Sequence, residues 1–305
     1  MKTKGLRIIV LKGGWSSERE ISLKSGAAVE KALKDGGFKV SSFDIKGRKS
    51  LAEMMRNKFD VVFIVLHGKF GEDGGIQAFL EGMNIPYTGS GVLASALAMN
   101  KILSKKIFQA EGIPTPDYHI VRRSTFALRR SRLILPFPVV VKPSCEGSTI
   151  GVSIVENKKE LRSGMRLAFK YDNEILIEKY IAGAEITVSI LDEQPLPVIE
   201  LRPKRKFYDY QAKYKVGMCE HIVPAPLPKE IYKEAQELAL RAHRVLGCRD
   251  YSRVDMRVGK KGIYVLEVNT VPGMSKLSLV PEAARAAGIE FSELVRRLID
   301  LALKH

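Results

Sequence analysis

A β-branched apolar run at Arg7 to Leu11 stops at Gly13-Gly14, helical spacing then runs from Glu18 to Leu33, and a second apolar run spans Asp60 to Leu66. Strand, glycine turn, helix and strand in that order admit few folds. Two strands joined through a helix pair in parallel, so residues 1–95 are expected to form a parallel α/β sheet. Ligands of such sheets gather beyond the carboxyl ends of the strands. Both glycine-marked loops, Gly13-Gly14 and His67 to Gly75, fall at such ends.

After Asn100 the pattern changes. A helix is expected to Glu111 and a break at Pro114 and Pro116; short strands then follow at Pro138 to Lys142, Val152 to Val155 and Glu174 to Lys179. This reads as a small antiparallel unit over residues 96–182. A third unit, 183–305, carries two strands between Val254 and Asn269 and closes with a helix beginning near Pro281. With 305 residues, 45% of them hydrophobic, the chain has material for the cores of all three units.

Fifty Lys and Arg against thirty-four Asp and Glu leave a formal charge of +16, which suits small anionic ligands or nucleic acid. The excess is scattered, and no basic patch is interleaved with the aromatics that a single strand of nucleic acid would stack on, so no nucleic-acid partner is expected. The densest run, Arg122 to Arg132, reads as a solvated helix face. Three widely spaced cysteines, Cys145, Cys219 and Cys248, make neither a disulfide framework nor a metal knuckle. The apolar run Leu6 to Leu11 is short for a signal-peptide core, and no stretch has the length of a membrane helix, so a cytoplasmic protein without membrane contact is expected.

The sharpest local pattern is the pair of strands joined through Gly259-Lys260-Lys261-Gly262. Glu267 and Asn269, two residues apart, share a face of their strand. Asp255 joins them only if it pairs opposite Glu267, which predicts an odd-length loop, Lys260-Lys261-Gly262, with Gly262 in the left-handed position. That register sets Val254, Met256 and Val258 opposite Val268, Leu266 and Tyr264 on the other face. Asp255, Glu267 and Asn269 would then be oxygen ligands suited to Mg²⁺ or Mn²⁺. A solvated acidic face is the competing reading.

Three further segments carry chemistry. Lys142 to Gly151 places small residues after a strand, with Lys142 as a point charge, so its backbone N–H groups could cradle phosphate. It is not a Walker loop, because a strand follows it; an ordinary glycine hairpin is the alternative. Glu178-Lys179-Tyr180-Ile181 with Glu185 could present backbone groups and carboxylates to a nucleoside, or be structural. In Asn269 to Met274, Gly273 permits unusual backbone geometry, and the helix after Ser278 turns its positive end to a carboxylate, unless Ser278 merely caps that helix.

In order along the chain, several segments together resemble the D-alanine–D-alanine ligase family. They are Gly13-Gly14 with Ser17-Glu18-Arg19-Glu20, His67-Gly68 with Gly71-Glu72-Asp73-Gly74, Tyr87 to Gly91, Glu146-Gly147-Ser148, Tyr208-Asp209-Tyr210 with Lys213-Tyr214, Arg253-Val254-Asp255, and Glu267 to Thr270 with Pro272-Gly273-Met274. The resemblance implies the ATP-grasp fold, α/β with two α+β lobes, and ATP held between the central and carboxyl-terminal domains. It implies two Mg²⁺ or Mn²⁺ ions, D-alanine as substrate, a homodimer, and a role in making peptidoglycan precursors.

By the family's pattern Glu18 would hold the first substrate's ammonium, with His67 nearby, and Ser148 and Tyr214 would link with Glu18 across the site. Lys101, Lys142 and Lys213 would contact phosphates, and Glu178, Lys179, Ile181 and Glu185 the nucleoside. Arg253 and the Gly273 N–H would stabilise the oxyanion, and Ser278 with Leu279 would bind the second carboxylate. Relatives that form depsipeptides carry a His where this chain has Tyr214; a neutral phenol does not repel an incoming ammonium, so D-alanine is favoured as second substrate. Lys215 to Glu220 and Arg122 to Arg132 follow no pattern of the family.

Overall fold

The computed structural model describes residues 5–47, 49–127, 135–204, 218–276 and 278–305. Strand β1 (Arg7–Gly13), helix α1 (Arg19–Asp35), β2 (Lys39–Ile45), α2 (Lys49–Met54) and β3 (Val61–Ile64) build a sheet of order β2-β1-β3, parallel throughout. The parallel sheet matches expectation, with one addition. β2 is an edge strand and largely half-exposed, so it lacks the continuous apolar run that marks β1 and β3. Helix α3 (Gly75–Gly82) follows the His67 to Gly75 loop.

Helices α4 (Val92–Met99) and α5 (Lys101–Ala110) meet at Asn100. Its Oδ1 accepts from the Ile102 and Leu103 N–H groups, a cap that starts α5 where the sequence places it. The next sheet is antiparallel, order β4-β7-β5-β6, from β4 (Tyr118–Arg122), β5 (Val139–Pro143), β6 (Ser153–Val155) and β7 (Glu174–Lys179), with α6 (Arg123–Ala127) and α7 (Lys158–Ala168). Arg122 and Arg123 lie on its exposed side, where Arg122 pairs with Glu174. The rest of that basic run lies largely outside the described residues.

The third sheet is antiparallel too, in the order β11-β10-β8-β12-β13. Its strands are β8 (Ala184–Leu191), β9 (Gln194–Pro195, on the β8 side), β10 (Ile199–Pro203), β11 (Cys219–Ile222), β12 (Tyr251–Gly259) and β13 (Gly262–Asn269). Helices α8 (Lys229–Val245), α9 (Leu279–Ala286) and α10 (Phe291–Ala302) complete it. Among the described residues no helix is long and apolar enough to cross a membrane.

The cores do not respect the order of the chain. Leu294, Val295 and Leu298 of α10 share one apolar cluster with Ile8 and Val10 of β1. Ala94 and Ala98 of α4 and Phe108 of α5 pack with Val254, Met256 and Val265 of the third sheet. Residue 95, the expected first boundary, lies within α4, and both α4 and α5 pack against the third sheet.

The β12–β13 hairpin settles the register question in two parts. Asp255 pairs with Glu267 and Val254 with Val268, as the sequence predicts. Beyond them the pairing shifts by one: Met256 faces Val265, Val258 faces Ile263, and Gly259 pairs with Gly262 around a two-residue loop, Lys260-Lys261. The odd-length loop is thus corrected. Its extra residue is a bulge beside Asp255, which turns Leu266 and Glu267 away from the apolar side together. The buried set on β13 is Ile263, Val265 and Val268, while Tyr264 and Leu266 are only half-buried.

Candidate active site

Two clefts adjoin where the three sheets approach one another. Lys101, Glu146, Gly147 and Glu267 line both. One cleft is walled by the strand ends of the central sheet and by the β12–β13 hairpin; Lys142, Glu178, Lys179, Ile181, Glu185 and Asp255 all line it. The other lies under the amino-terminal sheet and is lined by Glu18, His67, Ser148, Arg253, Asn269, Gly273, Ser278 and Leu279. Every expected site residue that is described thus lines at least one of the clefts. Lys213 and Tyr214, expected at a phosphate and beside Glu18, lie outside the described residues, as does Tyr208 to Tyr210.

In the first cleft the carboxylates face cations. Glu178 is buried and receives Lys142 at 2.7 Å and Lys105 at 2.9 Å. Burial alone would push its carboxyl up, but the two ammonium groups more than offset this and hold it below the ordinary range. Glu185 lies opposite Arg257 in the β8–β12 ladder and takes its guanidinium at 2.8 Å. Arg257 also donates to the Ile181 carbonyl, fastening the segment that would meet a nucleoside. Arg257 was missed in the sequence, although its parity with Asp255, two residues back on one strand, places both on the same face.

Asp255 accepts two bonds from Arg253, 2.8 and 2.7 Å, and one from Thr187 at 2.8 Å. Glu267 lies 3.2 Å from Lys101. Burial would lower the Lys101 ammonium, yet Glu267 first, with Cys145 and Glu72, raises it on balance. Lys101 further donates to the Glu146 carbonyl at 2.6 Å, which ties the start of α5 to the loop after β5. That loop turns tightly: Ser148 and Thr149 both have positive φ, 48° and 63°. For residues other than glycine this is strained backbone, held here by the contacts around it.

The second cleft is organised around Glu18, at the amino end of α1. Ser16 donates to the His67 carbonyl at 2.7 Å and accepts from the Glu18 N–H, so the glycine turn and the His67 loop are laced together. The Ser148 hydroxyl donates to Glu18, bringing the phosphate-type loop over the first sheet. A Cβ at 147 would stand 2.9 Å from Glu18 Oε2, so a side chain there would push the Glu18 carboxylate aside. His67 is buried with its Nε2 lacking a partner among the described residues, and burial lowers its pKa, so the ring is neutral.

Glu72, in the Gly71-Glu72-Asp73-Gly74 segment, is a polar residue of the site that the sequence pattern does not single out. It is buried in the same cleft, accepts from the Gly68 N–H at 3.0 Å, and its Oε2 has no partner among the described residues. Burial, then the neighbouring Glu18 charge, push its carboxyl up to about 8.

At the far wall two readings are sharpened. Gly273 does not have positive φ; glycine is needed for space, because a Cβ would approach Ser278 Oγ to 2.8 Å. Ser278 stands at the amino end of α9, but its hydroxyl accepts from the Ser275 N–H at 2.9 Å and makes no cap bond to the helix. The positive end of α9 therefore faces the cleft without a side-chain cap.

Comparison with known proteins decides the family. The description "D-ala D-ala ligase C-terminus" matches residues 107–300 and "D-ala D-ala ligase N-terminus" matches residues 46–90. The chain belongs to the D-alanine–D-alanine ligase family. A D-alanine–D-alanine ligase of Geotalea uraniireducens is 52% identical over 99% of this chain and 96% of its own length. One of Syntrophotalea carbinolica is 48% identical over 96% and 95%. The crystal structure of the D-alanine–D-alanine ligase from Bacillus anthracis superposes with a TM-score of 0.87 at 40% identity, covering 98% of each chain. The structure of the Bacillus anthracis ligase complexed with ATP gives 0.85 at 37% identity, again over 98% of each chain. The fold is therefore ATP-grasp, and the chain is an ATP-dependent ligase.

Proposed function

We infer that the chain joins two D-alanine molecules at the expense of ATP, supplying a dipeptide for peptidoglycan precursors. The observation that carries the reading is the meeting of the two clefts at Lys101 and Glu267, with the Glu18–Ser148 pair on the far side. The γ-phosphoryl group of ATP would pass to the carboxylate of the first D-alanine, giving an acyl phosphate and ADP. The amine of the second would attack the acyl carbon, the C–O bond to phosphate would break, and the dipeptide and phosphate would leave. The chain's own task is positioning and charge neutralisation.

In this reading Glu178, Lys179, Ile181 and Glu185 hold the nucleoside, and Lys101 and Lys142 hold phosphates, with Lys213 as the expected third. Glu18 receives the first substrate's ammonium beside neutral His67, while Ser148 and Tyr214 close the link across the site. Arg253 and the Gly273 N–H face the developing oxyanion. The uncapped end of α9, with Ser278 and Leu279, takes the second carboxylate.

Asp255, Glu267 and Asn269 would hold Mg²⁺ or Mn²⁺, with two ions expected. The donor set fits: oxygen atoms only, on facing positions of one hairpin, their charge balanced here by Arg253 and Lys101. Such an ion would screen the phosphate charge. We further propose three domains with boundaries near 95 and 182, a homodimer and a cytoplasmic location.

The test is a substrate panel of D-alanine, D-serine and D-lactate with ATP and Mg²⁺, reading ADP release. D-Alanine-dependent turnover is expected to dominate; its absence sinks the reading. Light scattering tests the dimer.

A further inference from the structure

Lys101 and Lys105 sit four residues apart on α5, hence on one face of the helix and about 6 Å apart along its axis. Lys101 pairs with Glu267, at the metal end of the nucleotide cleft. Lys105 pairs with Glu178, at the other end. Unlike Lys101, Lys105 lines neither cleft and is wholly buried. A buried ammonium is costly unless its bonds are made. Lys105 forms an ion pair with Glu178 at 2.9 Å, donates to Thr115 Oγ1 at 2.6 Å, and has its Nζ 5.1 Å from the centre of the Tyr118 ring, although burial still draws its ammonium down to about 8. Thr115 in turn donates to the Val265 carbonyl at 2.9 Å, beside Leu266 of the cleft wall.

Glu178 thus has two cations of different standing. Lys142, on its Oε2, lines the cleft at the strand end that leads into the loop after β5. A phosphate chain entering the cleft competes for Lys142. Lys105 is walled in behind and stays. A buried carboxylate stripped of cations takes up a proton. Ionised, it only accepts hydrogen bonds; protonated, it can also donate. We propose that Lys105 is a positioning residue for the nucleotide, keeping Glu178 a fixed, ionised acceptor that favours a purine with a 6-amino group over one with a 6-oxo group. This rests on the assignment of Glu178 to the nucleoside made above.

The test is Lys105→Met, similar in length but neutral, assayed with ATP and with inosine triphosphate. The KM for ATP is expected to rise about tenfold while kcat at saturating ATP falls less than about threefold, and the preference for ATP over inosine triphosphate narrows at least about fivefold. A variant that only loses thermal stability, with the preference unchanged, overturns the inference. In a Glu178→Gln background the same Lys105→Met change should move KM for ATP by less than about twofold, because the two residues act as one unit; equal effects in both backgrounds also overturn it. Should Lys105→Met not fold, Thr115→Val removes only the hydroxyl that fixes the ammonium. It should narrow the preference about threefold, and an unchanged preference again counts against the inference. If Glu178→Gln leaves KM for ATP untouched, the nucleoside assignment itself fails and takes the inference with it. If it raises KM but Lys105→Met does not, the inference about Lys105 alone fails.

Discussion

The two clefts solve opposite electrostatic problems. In the nucleotide cleft Glu178, Glu185, Asp255 and Glu267 each face a Lys or Arg within 3.2 Å. In the substrate cleft Glu72 Oε2 and His67 Nε2 are buried without partners among the described residues, and the end of α9 has no side-chain cap. The first is charge-balanced as it stands, so any ion entering it must exchange with these pairs. The second keeps polar groups waiting, a cost that a small zwitterion with a matching ammonium and carboxylate would relieve.

The sharpest way to break the comparison is to unbalance the first cleft. Asp255→Ala and Glu267→Ala each remove a carboxylate proposed to hold the metal and leave Arg253 or Lys101 short of a partner. Turnover should fall at least about a thousandfold in either variant, with the far-ultraviolet circular dichroism spectrum retained. Near-normal Mg²⁺-dependent activity in one of them would remove that residue from the metal site.

A middle-sized effect is expected from Glu72 in the second cleft. Its folded pKa of about 8 lies above the ordinary 4.5, so it is neutral at pH 7. The sign follows: the contribution to stability is whole below 4.5 and falls away as the pH rises through 8. Glu72→Gln has no proton to lose. Thermal unfolding at several pH values should show the variant level with the parent near pH 4 but more stable near pH 8, by on the order of 4 kcal/mol. Parallel curves would mean that Glu72 is ionised when folded.

The smallest expected effect tests the element both clefts share. Asn100 caps α5 and accepts from Ser144 at 3.1 Å, tying the helix that carries Lys101 and Lys105 to the loop after β5. Asn100→Ala should cost about 1–2 kcal/mol in urea unfolding and raise KM for ATP a few-fold. A larger loss of D-alanine binding than of ATP binding would place α5 with the second cleft.

Much of this was legible from residue order alone. Alternation of apolar runs with a glycine turn and a helix specified the parallel sheet, Asn100 marked the start of α5, and strand parity put Asp255 opposite Glu267. Those features depend on neighbours in sequence, through the periods of strand and helix. The ordered motifs of the family brought together sixteen described residues that line two adjoining clefts. The remainder was decided by packing in three dimensions. The edge strand β2 has no continuous apolar run, and the two-residue loop with its bulge satisfies the same Asp255–Glu267 pairing as the odd-length loop. Gly273 is required by the approach of Ser278 rather than by its own φ. Nothing in the residue pattern singles out Lys105 or Arg257; the fold buries the first against Glu178 and half-buries the second against Glu185. Periodicity states which face a residue occupies, but only the tertiary contacts state what waits on the other side, because burial sets the charge a group can keep.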